Sequence, residues 1–153
     1  MGNFYKDNDD LRFYIEREID WEPLVRLTEY LYRTEDGFSN ATEALGFYRE
    51  VLELVGDFAA EEVAPHAAEI DAAGVSLSGG EIVFPKRLAG IFKKLKALEL
   101  YGLCVPRELG GMNCPLLVYL ATNEIMARSD VSVAAHYGFH GGIAMAMLVF
   151  SIM

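Results

Sequence analysis

The feature that most constrains the fold is the stretch from residue 41 to residue 59, where apolar side chains recur every three or four positions. This spacing is typical of an α-helix that turns an apolar stripe toward a core. Two such stripes lie side by side: Leu45, Tyr48, Leu52, Val55 and Ala59, and Phe47, Val51, Leu54 and Phe58. So wide an apolar face predicts a helix that packs against more than one neighbour.

Capping residues and prolines divide the rest of the chain into further helices. The predicted helix starts are Asp20, Asn40, Pro85, Pro115 and Asp130. After the first of them, Leu24, Leu27 and Leu31 recur at helical spacing. Residues 74–84 contain Gly79-Gly80 between β-prone pieces and predict a loop or a small hairpin. Long strand alternation is missing, so we predict an all-α fold, an up-and-down bundle of five or six helices.

Composition narrows the class of protein. The chain has 153 residues, 52% of them hydrophobic and 24% charged, which suits one domain with a sizeable core. The net charge of -10 argues against nucleic acid as a partner, since a nucleic-acid binder needs a basic surface. The acidity is uneven, because residues 1–70 carry a net charge of -11 and residues 71–153 carry +1.

The end of the chain is apolar and almost uncharged. Its last 40 residues contain three charged side chains, namely Glu124, Arg128 and Asp130. The continuously apolar part is only Ile143–Phe150, whereas a membrane span needs about 20 predominantly apolar residues. We therefore expect a buried core helix and no membrane span. The segment is interpreted as one helix broken near Gly141-Gly142, or as two helices.

Location and redox state follow from the N-terminus and the cysteines. The first ten residues are polar and acidic, so we expect no secretory leader. Cys104 and Cys114 form no CxxC pattern and give no disulfide framework. Together these features favour a cytoplasmic protein.

Two groups of side chains suggest ligands only weakly. His136 and His140 are four residues apart and could share a metal, but HExxH and Glu-x-x-His patterns are absent. We predict no metal site and interpret the histidines as polar groups of a core or pocket wall. A small basic face could meet an anionic ligand, although a solvated helix face is the favoured interpretation. It comprises Lys86, Arg87, Lys93, Lys94 and Lys96.

Small residues form a stripe in the last helix. Ala134, Gly138 and Gly142 are spaced by four, and Ala135 lies beside them. Glycine inside a helix costs about 1 kcal/mol relative to alanine, so a compensating gain is expected. Such a stripe either lets another helix approach closely or leaves room for a ligand. The residues alone favour close packing.

Three segments in this order resemble the N-terminal helical domain of the acyl-CoA dehydrogenase family. Residues 101–115 read YGLCVPRELGGMNCP, residues 124–134 read EIMARSDVSVA, and HYGFHGG follows at 136–142. The family shows a GL-x-x-VP-x-E-x-GG turn, then a helix with A-R-x-D, then a helix with a His/Asn–Ser/Gly pair. The resemblance covers residues 40–153. Residues 1–39 are similar to the N-terminal extension of the longer members.

The resemblance implies a flavoenzyme of which this chain is one part. Family members use FAD to desaturate an acyl-CoA thioester between its α and β carbons. A carboxylate base removes the α proton while hydride passes to the flavin. The base and most flavin contacts belong to a middle β-domain and a C-terminal bundle. The chain alone is therefore expected to lack catalytic, cofactor-binding and metal-binding residues, and not to retain FAD.

The resemblance also implies a role for the helix after Asp130, which lines the acyl pocket in the family. The matching positions are Ala134, Ala135, Gly138, Phe139 and Gly142. This shifts the interpretation of the small-residue stripe toward a pocket wall. Expected partners are an acyl-CoA substrate, the remaining domains, an electron-transferring flavoprotein and further copies in a homo-oligomer. The alternative is a stand-alone helical interaction or dimerisation module without catalysis.

Overall fold

A computed structural model describes residues 2–150 of the chain. Apart from one short hairpin, the regular structure in this range is helical, which confirms the predicted all-α class. The α-helices are α1 (Asp9–Phe13), α2 (Trp21–Thr28), α3 (Ala41–Phe58), α4 (Ala67–Ala73), α5 (Lys86–Ala97), α6 (Leu116–Ser129) and α7 (Val131–Phe150). The hairpin strands are β1 (Ser76–Ser78) and β2 (Glu81–Val83). Tyr14–Glu18 and Ala59–Val63 are π-helical turns, and Ala64–His66, Leu100–Gly102 and Arg107–Leu109 are short 3-10 helices.

The long helix α3 lies at the centre of the core. Its N-terminus is capped as predicted, because the Asn40 side chain accepts a hydrogen bond from the Glu43 N–H at 2.9 Å. The Glu43 carboxylate in turn accepts one from the Ser39 N–H at 2.9 Å. Of the two stripes, the one containing Leu52 is the more deeply buried, while Leu54 in the other is 42% exposed. The helix packs against both α2 and α6, as a wide apolar face requires.

The N-terminal segment packs into the same core as the rest of the chain. Asn3 anchors it, because its side-chain amide donates to the Glu53 carbonyl at 2.9 Å and to the Asp57 carboxylate at 2.6 Å. Gly56 permits this close approach, since a Cβ there would lie 2.8 Å from the Tyr5 backbone nitrogen. The buried apolar residues of the segment are Tyr5, Leu11, Ile15, Trp21 and Val25. Residues before and after position 39 thus contribute to the same cluster of buried side chains.

Of the three leucines that recur at helical spacing after Asp20, Leu24 is partly buried against the core and the other two are exposed. Leu27 and Leu31 are 77% and 50% exposed, and the helix ends before Leu31. The buried residues are instead Trp21 and Val25. The Trp21 ring lies 5.5 Å from the Tyr48 ring of α3, so the aromatic contact decides which side of α2 faces the core.

A buried ion pair joins the residue after α2 to the loop between α5 and α6. Glu29 is fully buried, and the Arg107 guanidinium donates to its two carboxylate oxygens at 2.7 and 2.8 Å. Asn113 adds a hydrogen bond from its side-chain amide to the Thr28 carbonyl at 3.1 Å. This bidentate geometry compensates for the desolvation of the buried carboxylate. Hydrogen bonding to Glu29 also raises the pKa of Arg107 above its usual value.

The Gly110-Gly111 turn needs its two glycines for different reasons. Gly110 has a φ of 83°, which disfavours any residue with a Cβ. At Gly111 a Cβ would overlap the Val105 carbonyl group. The turn is closed where the Met112 N–H donates to the Gly102 carbonyl at 3.1 Å.

Residues 74–84 form a hairpin, which decides between the two predicted alternatives. Gly79 and Gly80 have φ values of 61° and 86°, as a two-residue type I′ turn requires. Leu77 then pairs with Ile82 across the antiparallel strands.

The basic side chains of α5 are partly neutralised by acids of the preceding segment. The Arg87 guanidinium lies 3.5 Å from the Glu69 carboxylate. The Lys94 ammonium lies 2.5 Å from the Glu62 carboxylate. These pairs support a solvated helix face rather than an anion site.

Candidate functional site

The predicted site residues all lie on α7, which is one continuous helix from Val131–Phe150. The expected break at Gly141-Gly142 is therefore wrong. Asp130 caps the helix as predicted, since its carboxylate accepts hydrogen bonds from the Ser132 N–H at 2.7 Å and the Val133 N–H at 3.0 Å. Residues 151–153 of the predicted apolar segment lie outside the described residues.

The burial expected for this helix is also wrong, because α7 is covered on one side only. Its buried residues are Val133, Ala134, Tyr137 and Gly141. By length and composition α7 could cross a membrane, a test that the core helix of a soluble protein also passes, and 22% of its most apolar stretch is buried. Its outward face is nonetheless apolar. The large exposed side chains there are Phe139, Ile143, Met147, Val149 and Phe150.

The covered side of α7 packs closely against α6. A Cβ at Gly138 would lie 2.7 Å from the Asn123 side-chain oxygen, and one at Gly141 would overlap the Tyr119 ring. The Tyr119 hydroxyl donates a hydrogen bond to the Gly138 carbonyl. These two glycines therefore bring the helices together. Of the two, only Gly138 belongs to the predicted stripe, so the close packing that the residues alone favoured holds at Gly138 and not at Gly142.

The five predicted pocket residues divide between the two sides of the helix. Ala134 is buried, and Gly138 lies at the contact with α6. Ala135, Phe139 and Gly142 are exposed on the outward face. A step of four residues turns the helix by about 40° more than a full circle, so a stripe at that spacing drifts around it. The drift is enough to carry Gly142 out of the α6 contact, and a Cβ there would meet nothing within 4 Å.

The outward face contains a shallow groove of about 290 Å³. Its lining residues are His136, Phe139, His140, Ile143, Ala144 and Met147. The lining is apolar apart from the two imidazoles. Such a surface can hold a hydrocarbon chain, because ligand sites are mostly apolar with a few polar groups that fix orientation.

Aromatic rings from three other segments support the imidazole end of the groove. The His136 ring stacks on Phe92 of α5 at 3.7 Å between centroids, and Phe84 packs edge-on to both. Tyr101 lies 4.5 Å from the His140 ring. Burial, and then the nearby His140, holds the pKa of His136 below its ordinary value, which favours a neutral imidazole. Both histidines thus line the groove.

Sequence reasoning missed part of this groove. Ile143 and Met147 follow Phe139 at intervals of four residues, so the spacing could have found them. The contribution of Phe84 and Phe92 was not visible, because those residues precede His136 by more than 40 positions.

The groove does not fit a metal or FAD by itself. Among the described residues there is no group of three or more metal-ligating side chains. The pyrophosphate of FAD needs basic side chains or free N–H groups. The groove lining contains neither Lys nor Arg, and Asp130 occupies N–H groups at the start of α7.

Comparisons with known proteins match this domain. The family model for the acyl-CoA dehydrogenase N-terminal domain matches residues 48–151, which include α7. Mitochondrial isovaleryl-CoA dehydrogenase of Oryza sativa subsp. japonica is 35% identical over 97 residues, or 63% of this chain and 22% of the relative. Its Arabidopsis thaliana counterpart is 32% identical over 115 residues, 73% of this chain and 26% of the relative.

A third relative comes from a bacterium. The 3-methylmercaptopropionyl-CoA dehydrogenase of Ruegeria pomeroyi is 29% identical over 123 residues, which are 80% of this chain and 19% of that protein. The chain thus spans about a quarter of the length of the curated relatives it matches. On the family match and the all-helical fold, the chain belongs to the acyl-CoA dehydrogenase family and contains its N-terminal domain.

Proposed function

We propose that this chain is the N-terminal domain of an FAD-dependent acyl-CoA dehydrogenase and that the outward face of α7 forms part of its acyl pocket. The complete enzyme would desaturate an acyl-CoA thioester between the α and β carbons. The observation that carries the proposal is the apolar, uncovered groove on a helix inside the family-matched range. The matched relatives are named as dehydrogenases of acyl-CoA thioesters.

The groove explains how α7 would contribute to binding. Phe139, Ile143 and Met147 offer apolar contacts in the groove, while Ala135 and Gly142 are exposed small residues that lie beside the groove on the same outward face. A hydrocarbon chain that leaves water for this surface gains about 25 cal/mol for each Å² of apolar area buried. The proposed role of Gly138 changes accordingly, from a pocket wall to a packing residue.

The chemistry itself is assigned to the parts of the enzyme outside this chain. The groove lining contains no carboxylate that could remove an α proton and no Lys or Arg that could bind the FAD pyrophosphate. The isolated chain is therefore proposed to be inactive and not to retain flavin. Its contribution is to bind and orient the acyl group and to exclude water from it.

The exposed face of α7 is proposed to pack on the other domains of a cytoplasmic homo-oligomer rather than to span a membrane. Electrons would leave through an electron-transferring flavoprotein.

A second function is favoured by the same exposed face. Large apolar surfaces mark sites of protein association, so a stand-alone dimerisation module would also expose one. Measurements of acyl-CoA binding and of oligomeric state on the full-length protein separate the two proposals. If the outward face of α7 is an acyl pocket, substitutions on it should change acyl-CoA binding. If it is a dimerisation surface, the same substitutions should change only the oligomeric state.

Substitution of Gly142 in the complete enzyme tests the proposal. Gly142→Leu places a bulky side chain in open space on the outward face, so the structure should tolerate it. We expect the preferred straight-chain acyl-CoA to become shorter, measured as kcat/KM across a series of chain lengths. Gly46→Leu is the matched control, because Gly46 is also a helical glycine with open space but lies on α3. A profile that Gly142→Leu leaves like that of the control would contradict the pocket role.

A further inference from the structure

We propose that His140 is a specificity-determining residue whose Nε2 accepts a hydrogen bond from the acyl-CoA bound in the groove. This inference rests on the proposed function, because it assumes that the groove of α7 holds the acyl-CoA. It assigns a polar contact to a groove that is otherwise proposed to bind its ligand through apolar contacts.

The tautomer of His140 is fixed by its own helix. Nδ1 of His140 lies 2.8 Å from the His136 carbonyl oxygen. A carbonyl oxygen can only accept a hydrogen bond, so Nδ1 carries the hydrogen. In the neutral imidazole the other nitrogen, Nε2, then has a free lone pair.

The orientation of the ring is fixed by its neighbours. The His140 ring lies 4.5 Å from the Tyr101 ring and 4.6 Å from the His136 ring. His136 is in turn stacked on Phe92. These contacts hold the imidazole plane in place, so a ligand would meet an acceptor that is already oriented.

The surroundings make this acceptor selective. His140 is exposed and lines the groove. The rest of the lining is apolar except for the partly buried His136, and comprises Phe139, Ile143, Ala144 and Met147. A bound N–H or O–H group that leaves water in such a groove needs a partner there, or it loses its hydrogen bond. His140 Nε2 supplies that partner and would distinguish ligands that carry a donor from those that do not.

An acyl-CoA has two kinds of donor that could fill this role. One is the amide N–H of the pantetheine arm, which every acyl-CoA carries. The other is a hydroxyl on the acyl group itself. Both have the same chemistry, and a pair of substrates separates them.

The test compares His140→Phe with His140→Gln in the complete enzyme, using the best straight-chain acyl-CoA and its terminally hydroxylated analogue. Phenylalanine keeps a ring against Tyr101 but removes the acceptor, so KM should rise about tenfold. Glutamine can place an oxygen near the position of Nε2, so KM should stay within about twofold of the unmodified enzyme. An increase on both substrates assigns the pantetheine amide as donor. An increase confined to the hydroxylated substrate assigns the acyl hydroxyl.

Two results would overturn the inference. In one, His140→Phe leaves KM unchanged on both substrates. In the other, His140→Gln is as impaired as His140→Phe, which would show that the ring matters for packing and not as an acceptor. Gly142→Leu in the same assay separates this failure from that of the proposed function. If Gly142→Leu shifts the chain-length profile while His140→Phe has no effect, only the role of His140 is lost. If neither Gly142→Leu nor His140→Phe has an effect, both proposals fall.

Discussion

At the scale of single residues, the contact between Glu29 and Arg107 is a buried ion pair whose disruption should be costly. The carboxylate is fully buried and receives both of its short hydrogen bonds from one guanidinium. Arg107→Met would leave this carboxylate buried and unpaired. We expect the free energy of unfolding to fall by about 3 kcal/mol, measured by urea denaturation.

A double variant serves as the control for that experiment. Glu29→Met combined with Arg107→Met removes both charges and leaves no buried ion. It should therefore be more stable than Arg107→Met alone. If the two variants are equally unstable, the loss of stability comes from packing. That result would contradict the claim that an unpaired buried carboxylate destabilises Arg107→Met.

The buried thiols predict a loss of stability in alkali. Burial raises the pKa of Cys104 from 9.0 to about 12, and it raises that of Cys114 as well. Above pH 9 the unfolded chain releases these protons while the folded chain keeps them, so stability falls as pH rises. The expected loss at pH 10 is about 1.4 kcal/mol for each thiol.

Unfolding in urea at pH 8 and pH 10 measures this effect. A variant with both Cys104→Ala and Cys114→Ala should lose less stability over the same interval, although it starts from a lower value. If the variant and the unmodified chain lose the same free energy of unfolding between pH 8 and pH 10, the thiols titrate normally and are not desolvated.

The residues of the ion pair also show where sequence reasoning ends. Glu29 lies in a charged segment, and acids in such segments are usually solvated. Its partner is 78 positions away in the chain. Burial of this carboxylate depends on how α2 and the loop before α6 meet, which local spacing does not report.

At the scale of elements, the two sides of α7 should respond in opposite ways to added side chains. Gly138→Ala would press a Cβ against Asn123, whose amide is held by a hydrogen bond to the Tyr119 carbonyl at 2.9 Å. We expect a loss of about 1–3 kcal/mol in the free energy of unfolding. Gly142→Ala meets open space and should gain up to about 1 kcal/mol through helix propensity. Thermal or urea unfolding of the two single variants, side by side, gives the comparison. The assignment of the two sides would be wrong if both glycines tolerated alanine equally.

The boundaries of helices and strands were predictable where residues close in sequence determine them. Asn40 and Asp130 cap α3 and α7 through hydrogen bonds to N–H groups two or three residues ahead. The Gly79-Gly80 turn is equally local. The burial of α2 and of α7 was not predictable, because it depends on neighbours that arrive from elsewhere in the chain. An apolar helix such as α7 can be buried in a core or exposed on the surface for a partner to cover. The sequence of the helix does not distinguish the two cases.

At the scale of the whole molecule, the N-terminal segment, α3 and α6 form one core, and α7 contributes only one side to it. The family resemblance found the domain and the helix that carries the candidate site. It did not separate the residues that pack on α6 from those that face outward, because that depends on the angle at which the two helices meet. The structure assigns Ala135, Phe139 and Gly142 to the outward face and leaves Ala134 and Gly138 to packing.

The most direct test of the account is to locate the acyl chain on the protein. An acyl-CoA with a photoreactive diazirine in its chain, irradiated in the complete enzyme and mapped by mass spectrometry, labels whatever lies beside the chain. We predict adducts within residues 139–147 of α7, centred on Phe139, Ile143 and Met147, which an excess of unmodified acyl-CoA suppresses. Labelling that falls only outside α7 would contradict the assignment of this helix to the acyl pocket.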